Sequence, residues 1–384
     1  MQVNIYDKAN IAYFNWNDYE DGVILQKVFE PLIQQGTLPF IANVDNEVQI
    51  LVLDKVILPL VIGNPHAHKN AYICSTLSQY FDLAIEEIMM EMKGKKSIIA
   101  AIAPHTLRLL KYFFKLMAFE KVVFVNNFIL STNLYPRLDT RLLREAQELL
   151  VRKFPQHALV FRSVSEQLDA EIHQELLTLG FDEIISRPVL TLDPSQKTYL
   201  KKRMYKMDQK LWEKNKSYYW DRHESIQPDE IPQICELYAD LYLKKYSSLN
   251  PQYRDSFIQL LIESKLLNFK VLRKNGKIFG VTAFLEKNGV LTTPLIGYDQ
   301  SVPIEEGLYR FLNYKLMQEA IEKNIILNMS SGAANFKRLR GGETTLEYNM
   351  VYSKHLALFN RIPWQIYHLI STQVAIPGIR KYGL

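Results

Sequence analysis

The residues best suited to chemistry lie between Ser330 and Tyr348, in the segment SSGAANFKRLRGGETTLEY. Lys337, Arg338 and Arg340 place three cations within four residues, beside Gly341 and Gly342. They directly follow the polar end of an apolar run, Ser330 and Ser331. Such a cluster can hold a phosphate or carboxylate through charge-assisted hydrogen bonds, or stabilise an oxyanion that develops on a reacting carbonyl. Glu347 and Tyr348 could serve nearby as base or acid, directly or through water. Tyr298 and Asp299 end a second apolar run and could face the same ligand. The alternative reading is a patch of solvated surface charge. The cluster's place at the polar end of a buried run favours a site.

A strand–helix–strand unit must position these groups. Residues 290–297 are apolar and rich in Thr and Ile, as a buried strand should be. Pro303 fixes φ where a helix begins, and Glu305 and Glu306 suit the positive end of its dipole. Leu308, Phe311, Leu312, Leu316 and Ala320 form one apolar stripe at helical spacing. Lys323 and Asn324 close the helix, and 325–329 reads as a second buried strand. Such a unit binds its ligand where strand ends meet the helix N-terminus.

Composition sets the frame. With 384 residues and 48% hydrophobic content there is material for two or three domains. A net charge of +5 fits an anionic ligand such as a nucleotide, but only weakly. Cys74 and Cys235 lack metal-ligand spacing and read as small buried side chains in a reducing cytoplasm. The start MQVNIYDKAN has no signal-peptide pattern, and no apolar run is long enough to span a bilayer. No Ser/His/Asp order, Walker loop or zincin motif occurs. His66 and His68 could bind a metal in principle but lack a third ligand. Asn126 and Asn127 read as turn residues that satisfy backbone.

Taken in order, the first half reads as a helix at 20–35, strands at 47–54 and 55–63, and a short strand at 71–75. Helices follow at 78–92 and 104–119, then a strand at 122–125 and a helix at 138–154. A strand at 158–164 leads to a helix at 166–179 stopped by Gly180, and then to two short strands at 181–186 and 187–193. Residues 194–216 read as one long helix carrying Lys197, Lys201, Lys202, Arg203, Lys206, Lys210, Lys214 and Lys216. That face is either a solvated link between domains or a contact for phosphate-rich RNA or anionic lipid. The second half adds a strand at 218–224, helices at 228–246 and 254–267, and a hairpin across Asn275 and Gly276. The last strand is expected at 345–353. The tail beyond it carries Leu356, Phe359, Trp364, Ile366, Leu369 and Ile370, suited to packing on the last sheet or to interfacial membrane contact.

The order of elements from 218 to 354, with EEGLYRFL and FKRLRGG in their places, resembles the GNAT superfamily of N-acyltransferases. The first half ends in a similar manner, so the whole chain resembles a tandem pair of the Fem-like branch, which includes peptidoglycan aminoacyltransferases and bacterial acetyltransferases. Phe336 and Lys337, followed by Gly341 and Gly342, stand where that branch has an aromatic–Lys pair and a Gly. The resemblance implies an α/β (α+β) fold of two tandem GNAT-like domains, each a mixed central sheet flanked by helices. It divides the chain into a degenerate domain at 1–195, a basic linking helix at 196–216 and an acyltransferase domain with a helical tail at 217–384. It implies transfer of an acyl group from a thioester, acyl-CoA or acyl carrier protein, to a small-molecule or lipid amine. No cofactor would be bound permanently. An aminoacyl-tRNA donor and a non-catalytic binding scaffold are the alternatives. Lys337, Glu347 and Tyr348 take the catalytic places. Gly307, Leu308, Arg310, Ser330, Ser331, Arg338 and Arg340 take those that would hold the carrier. The expected setting is the cytoplasm or the inner face of a membrane.

Overall fold

The computed structural model describes residues 3–67, 70–91 and 98–382. Among these residues twelve strands form one sheet: β1 (Val3–Tyr6), β2 (Glu47–Leu53), β3 (Val56–Ile62), β4 (Val122–Val125), β5 (Ala158–Ser165), β6 (Asp182–Leu192), β7 (Tyr219–Arg222), β8 (Asn268–Lys274), β9 (Lys277–Lys287), β10 (Val290–Tyr298), β11 (Ile326–Asn328) and β12 (Glu343–Tyr352). The long runs of Val, Ile and Leu in β2, β3, β4 and β5 mark strands covered on both faces, and nearly all their residues are buried.

The spatial order is β1-β2-β3-β4-β5-β12-β6-β11-β10-β9-β8-β7. The halves exchange their last strands. β12, the final strand of the chain, lies between β5 and β6, antiparallel to both. β6, the final strand of the first half, lies between β12 and β11. Read inward from each end, the sheet runs through five strands of one half and then the last strand of the other. Each half also contains one parallel pair, β4 with β5 and β10 with β11.

Helices cover both faces. The helix Ile231–Ala239 packs so closely on β10 that a Cβ at Gly297 would lie 2.6 Å from the Leu237 carbonyl carbon. On the opposite face the helix Leu308–Lys323 sets Leu312 against Gly280 of β9. The next residue, Val281, points into the core with Ile234.

Several expectations change. Residues 194–216 are not one helix. Two short turns, Pro194–Gln196 and Thr198–Lys201, precede the helix Arg203–Lys214, because Lys197 adopts a left-handed φ of 54° that interrupts the ladder. The eight basic side chains named there are nonetheless all exposed. The two short strands at 181–193 are the single strand β6. Residues 71–75 form turns rather than a strand. The tail packs on the first half: Trp364 packs on Phe119 with ring centroids 4.4 Å apart, and Tyr367 sits among Tyr80, Phe81 and Phe114. Leu358, Phe359, Leu369, Ile370 and Val374 of that tail are exposed. Among the described residues no helix is long and apolar enough to cross a membrane.

Strand exchange makes each half incomplete. A chain of residues 1–216 lacks β12, so the inner edges of β5 and β6 lose their shared partner. We expect 1–216 and 217–384 to aggregate or show collapsed amide dispersion when made separately, and to form a soluble complex when made together. A dispersed amide spectrum from 1–216 alone would refute this dependence.

Candidate functional site

The site begins where two parallel strands part. β10 pairs with β11 only from Val290 to Thr292, opposite Ile326 to Asn328. β10 then continues along β9 to Tyr298, whereas the chain leaves β11 through Ser330, whose φ is 63°, into the short helix Ala334–Arg338. The gap opens into a cavity of about 430 Å³. Thr293, Ile296, Met329 and Ser330 line its strand edges. Tyr309, Asn313 and Leu316 enter from the helix Leu308–Lys323, and Leu241, Tyr242 and Tyr246 from the helical segment on the other face. The first half supplies Tyr72, Gln79, Tyr80, Arg162 and Arg187.

Lys337 lies in this cavity and is 5% exposed. Its Nζ donates to the Ser330 carbonyl at 3.3 Å. Burial, and then the nearby Arg187 charge, pull its pKa down to about 7. An unfolded lysine holds its proton to about pH 10.4. Between those values the folded chain binds fewer protons than the unfolded chain, so this group makes stability rise with pH across that window.

Arg187 and Glu347 face one another in the β6–β12 register. Arg187 Nε donates to Glu347 Oε2 at 2.9 Å, and Asn328 Nδ2 donates to Glu347 Oε1 at 3.0 Å. Arg187 Nη2 donates to the Ser131 carbonyl at 3.0 Å and to Thr132 Oγ1 at 2.8 Å. Both carboxylate oxygens of Glu347 are thus engaged, and the side chain is 1% exposed. Glu347 positions Arg187 and does not line the cavity. Tyr348 points to the other face of β12, where its hydroxyl donates to Glu166 at 3.0 Å and its ring stacks on His173. The structure therefore does not bring Tyr348 to Lys337, because successive residues of a strand face opposite sides.

The expected carrier residues separate as well. Ser330 and Ser331 line the cavity, but the Ser330 N–H is taken by the Asn328 side chain at 2.9 Å. Gly307 caps the helix Leu308–Lys323 with φ 80°, and a Cβ there would lie 2.7 Å from the Leu211 side chain. The Leu211 side chain lies against the open side of Gly307. Leu308 is buried in the core. Arg310 and Arg340 are held by Asp208, one on each carboxylate oxygen. Asp208 and Arg340 are each 2% exposed, and the Arg340 guanidinium lies 3.3 Å from the Phe336 ring centroid. Arg338 is half-buried and lies 3.5 Å from Thr344 Oγ1. Of the three clustered cations only Lys337 lines the cavity.

Sequence reasoning missed Arg162, Arg187 and the tyrosines. An arginine in the middle of the apolar strand ALVFRSV is the signal that was present. Arg162 is 2% exposed, and neither its Nε nor its Nη1 has a hydrogen-bond partner among the described residues. Asn126 and Asn127 satisfy turn backbone, as expected, through the Leu134 and Ile73 carbonyls. The two cysteines are free, and burial pushes both thiols up to about 12. His66 is exposed, and His68 lies outside the described residues.

No family model matches the chain, and no curated protein matches it. Solved structures do. The chain is similar to the C-terminal domain of a lysylphosphatidylglycerol synthetase from Agrobacterium fabrum, with 13% identity over 66% of this chain and 83% of that one, at a TM-score of 0.44. FemX has 9% identity over 59% and 78%, at 0.44. A tandem GNAT protein from the clavulanic acid pathway has 10% identity over 91% and 98%, at 0.37. These neighbours are GNAT-fold proteins, and the fold of this chain is a mixed α/β sheet flanked by helices.

The Arg187–Glu347 pair can be tested directly. Glu347→Leu leaves Arg187 and Asn328 without their acceptor, and should cost about 3 kcal/mol in urea unfolding. The double change Glu347→Leu with Arg187→Met should recover most of that loss. A loss below ~1 kcal/mol for the single change would show that the pair does not brace the seam.

Proposed function

We propose that the cavity is the active site of an acyl transfer to an amine, with Lys337 as the proton-transfer group. The observation that carries this reading is the lysine itself, enclosed in a ligand-sized cavity and poised near neutrality. An acceptor amine reacts only as the free base. Neutral Lys337 takes a proton from the amine nitrogen as that nitrogen bonds to the donor carbonyl carbon. When the carbon–sulfur bond of a thioester breaks, the same proton passes to the departing sulfur, and Lys337 returns to its neutral form. Atoms and charge balance without a metal or a covalent enzyme intermediate. The tyrosine hydroxyls of the cavity supply donors that can steady the carbonyl oxygen.

The donor carrier is open to two readings. A thioester of CoA or of an acyl carrier protein is the first. An aminoacyl ester of tRNA is the second. Two observations favour the second: Leu211 occupies the space beside Gly307, and eight exposed cations run from Lys197 to Lys216.

Calorimetric titration separates them. Heat with CoA, short acyl-CoAs or acyl carrier protein supports the thioester. Salt-dependent tRNA binding that disappears when Lys201, Lys202, Lys206 and Lys210 are changed to Glu supports the ester. With whichever donor binds, Lys337→Met should leave donor affinity within about twofold and lower turnover by on the order of 100-fold or more. Unchanged turnover in Lys337→Met would remove the assignment.

A further inference from the structure

We infer that the cavity seats an oxyanion of its substrate, a carboxylate or a phosphate, on Arg162. A guanidinium 2% exposed has given up nearly all of its hydration, and a buried cation is ordinarily paired with a carboxylate or fully hydrogen-bonded. Arg162 has neither. Its Nε and Nη1 are without partners among the described residues, and the titratable groups around it include Tyr72, Cys74, Tyr80, Tyr135 and a second cation, Arg187.

The other two cations of the cavity are already accounted for. Arg187 is neutralised by Glu347 and fixed by Ser131 and Thr132. Lys337 leans on the Ser330 carbonyl and can shed its proton. Among the described residues that line the cavity, Arg162 is the cation with unpartnered donors, although burial lowers its pKa, and it sits in the middle of β5 where the strand backbone fixes its position. Maintaining such a group costs stability, and that cost is explained if a ligand supplies the missing charge. A planar guanidinium matches a carboxylate or phosphate with parallel hydrogen bonds. Tyr72, Tyr80 and Gln79 lie in the same cavity wall and offer further polar contacts.

This deepens the transfer reading, on which it rests for the role of the ligand: the amine acceptor, or the acyl group itself, would carry an anionic group at the end that Arg162 holds. Binding of the anion does not require turnover, so the two ideas can fail separately.

The test uses the full chain, Arg162→Met, Arg162→Lys and two probes, glutarate and inorganic phosphate, each against chloride at constant ionic strength. In chloride, Arg162→Met should melt at or above the wild type, since it removes an uncompensated buried charge. One of the probes should raise the wild-type Tm by several degrees. Arg162→Met should lose that response and Arg162→Lys should retain part of it. A glutarate response assigns a carboxylate and a phosphate response assigns a phosphate. Equal responses in all three proteins, or no wild-type response to either probe, would overturn the proposal, whatever acyl-CoA or tRNA titrations show.

Discussion

The antiparallel pairing of β12 with β6 is the constraint on which the rest of the molecule depends. It joins the last strand of each half at the centre of one sheet, so neither half closes its own sheet. At the middle of this seam Arg187, half-buried, and Glu347, buried, stand opposite one another and are bonded. A one-residue slip would turn both to opposite faces and leave a charge unpaired on each side. The ion pair therefore selects the register as well as bracing it.

The seam also builds the cavity. β6 carries Ile185, Ser186 and Arg187 into its wall, while β11, next to β6, supplies Leu327 and then turns away at Ser330. Because β11 is only three residues long, β10 runs on without it and the gap stays open. Lys337 enters that gap on the short helix that follows. Its depressed pKa is a consequence of place: little water reaches it, and Arg187 is held nearby by the seam. The shift thus depends on contacts between segments more than a hundred residues apart in the chain.

Much of the local structure is legible in the sequence. Asn275 and Gly276 specify their hairpin because both residues accept positive φ, at 51° and 79°. Gly180 ends a helix with φ 85° for the same reason. The strand–helix–strand unit around Leu308–Lys323 follows from apolar periodicity. Strand partners are a different matter. The composition of β12 fits a buried strand equally well beside β11 or between β5 and β6, so exchange cannot be read from it. The site is legible only in part for a related reason. Lys337 is recognisable from the FKRLRGG cluster, but Arg338 and Arg340 beside it look equivalent until Asp208, over a hundred residues earlier, is seen to claim Arg340. Glu347 and Tyr348 likewise part company once the pleat of β12 sends them to opposite faces. Arg162 and Arg187 join the site only through tertiary pairing.

Burial between the two halves, with Arg187 nearby, pulls the Lys337 pKa down to about 7. Nitrogen-detected NMR titration of the Lys337 side chain in the intact protein, assigned by comparison with Lys337→Met, measures this most directly. A midpoint near 7 is expected for a buried Lys337. A midpoint near the ordinary lysine value of about 10.4 would contradict it.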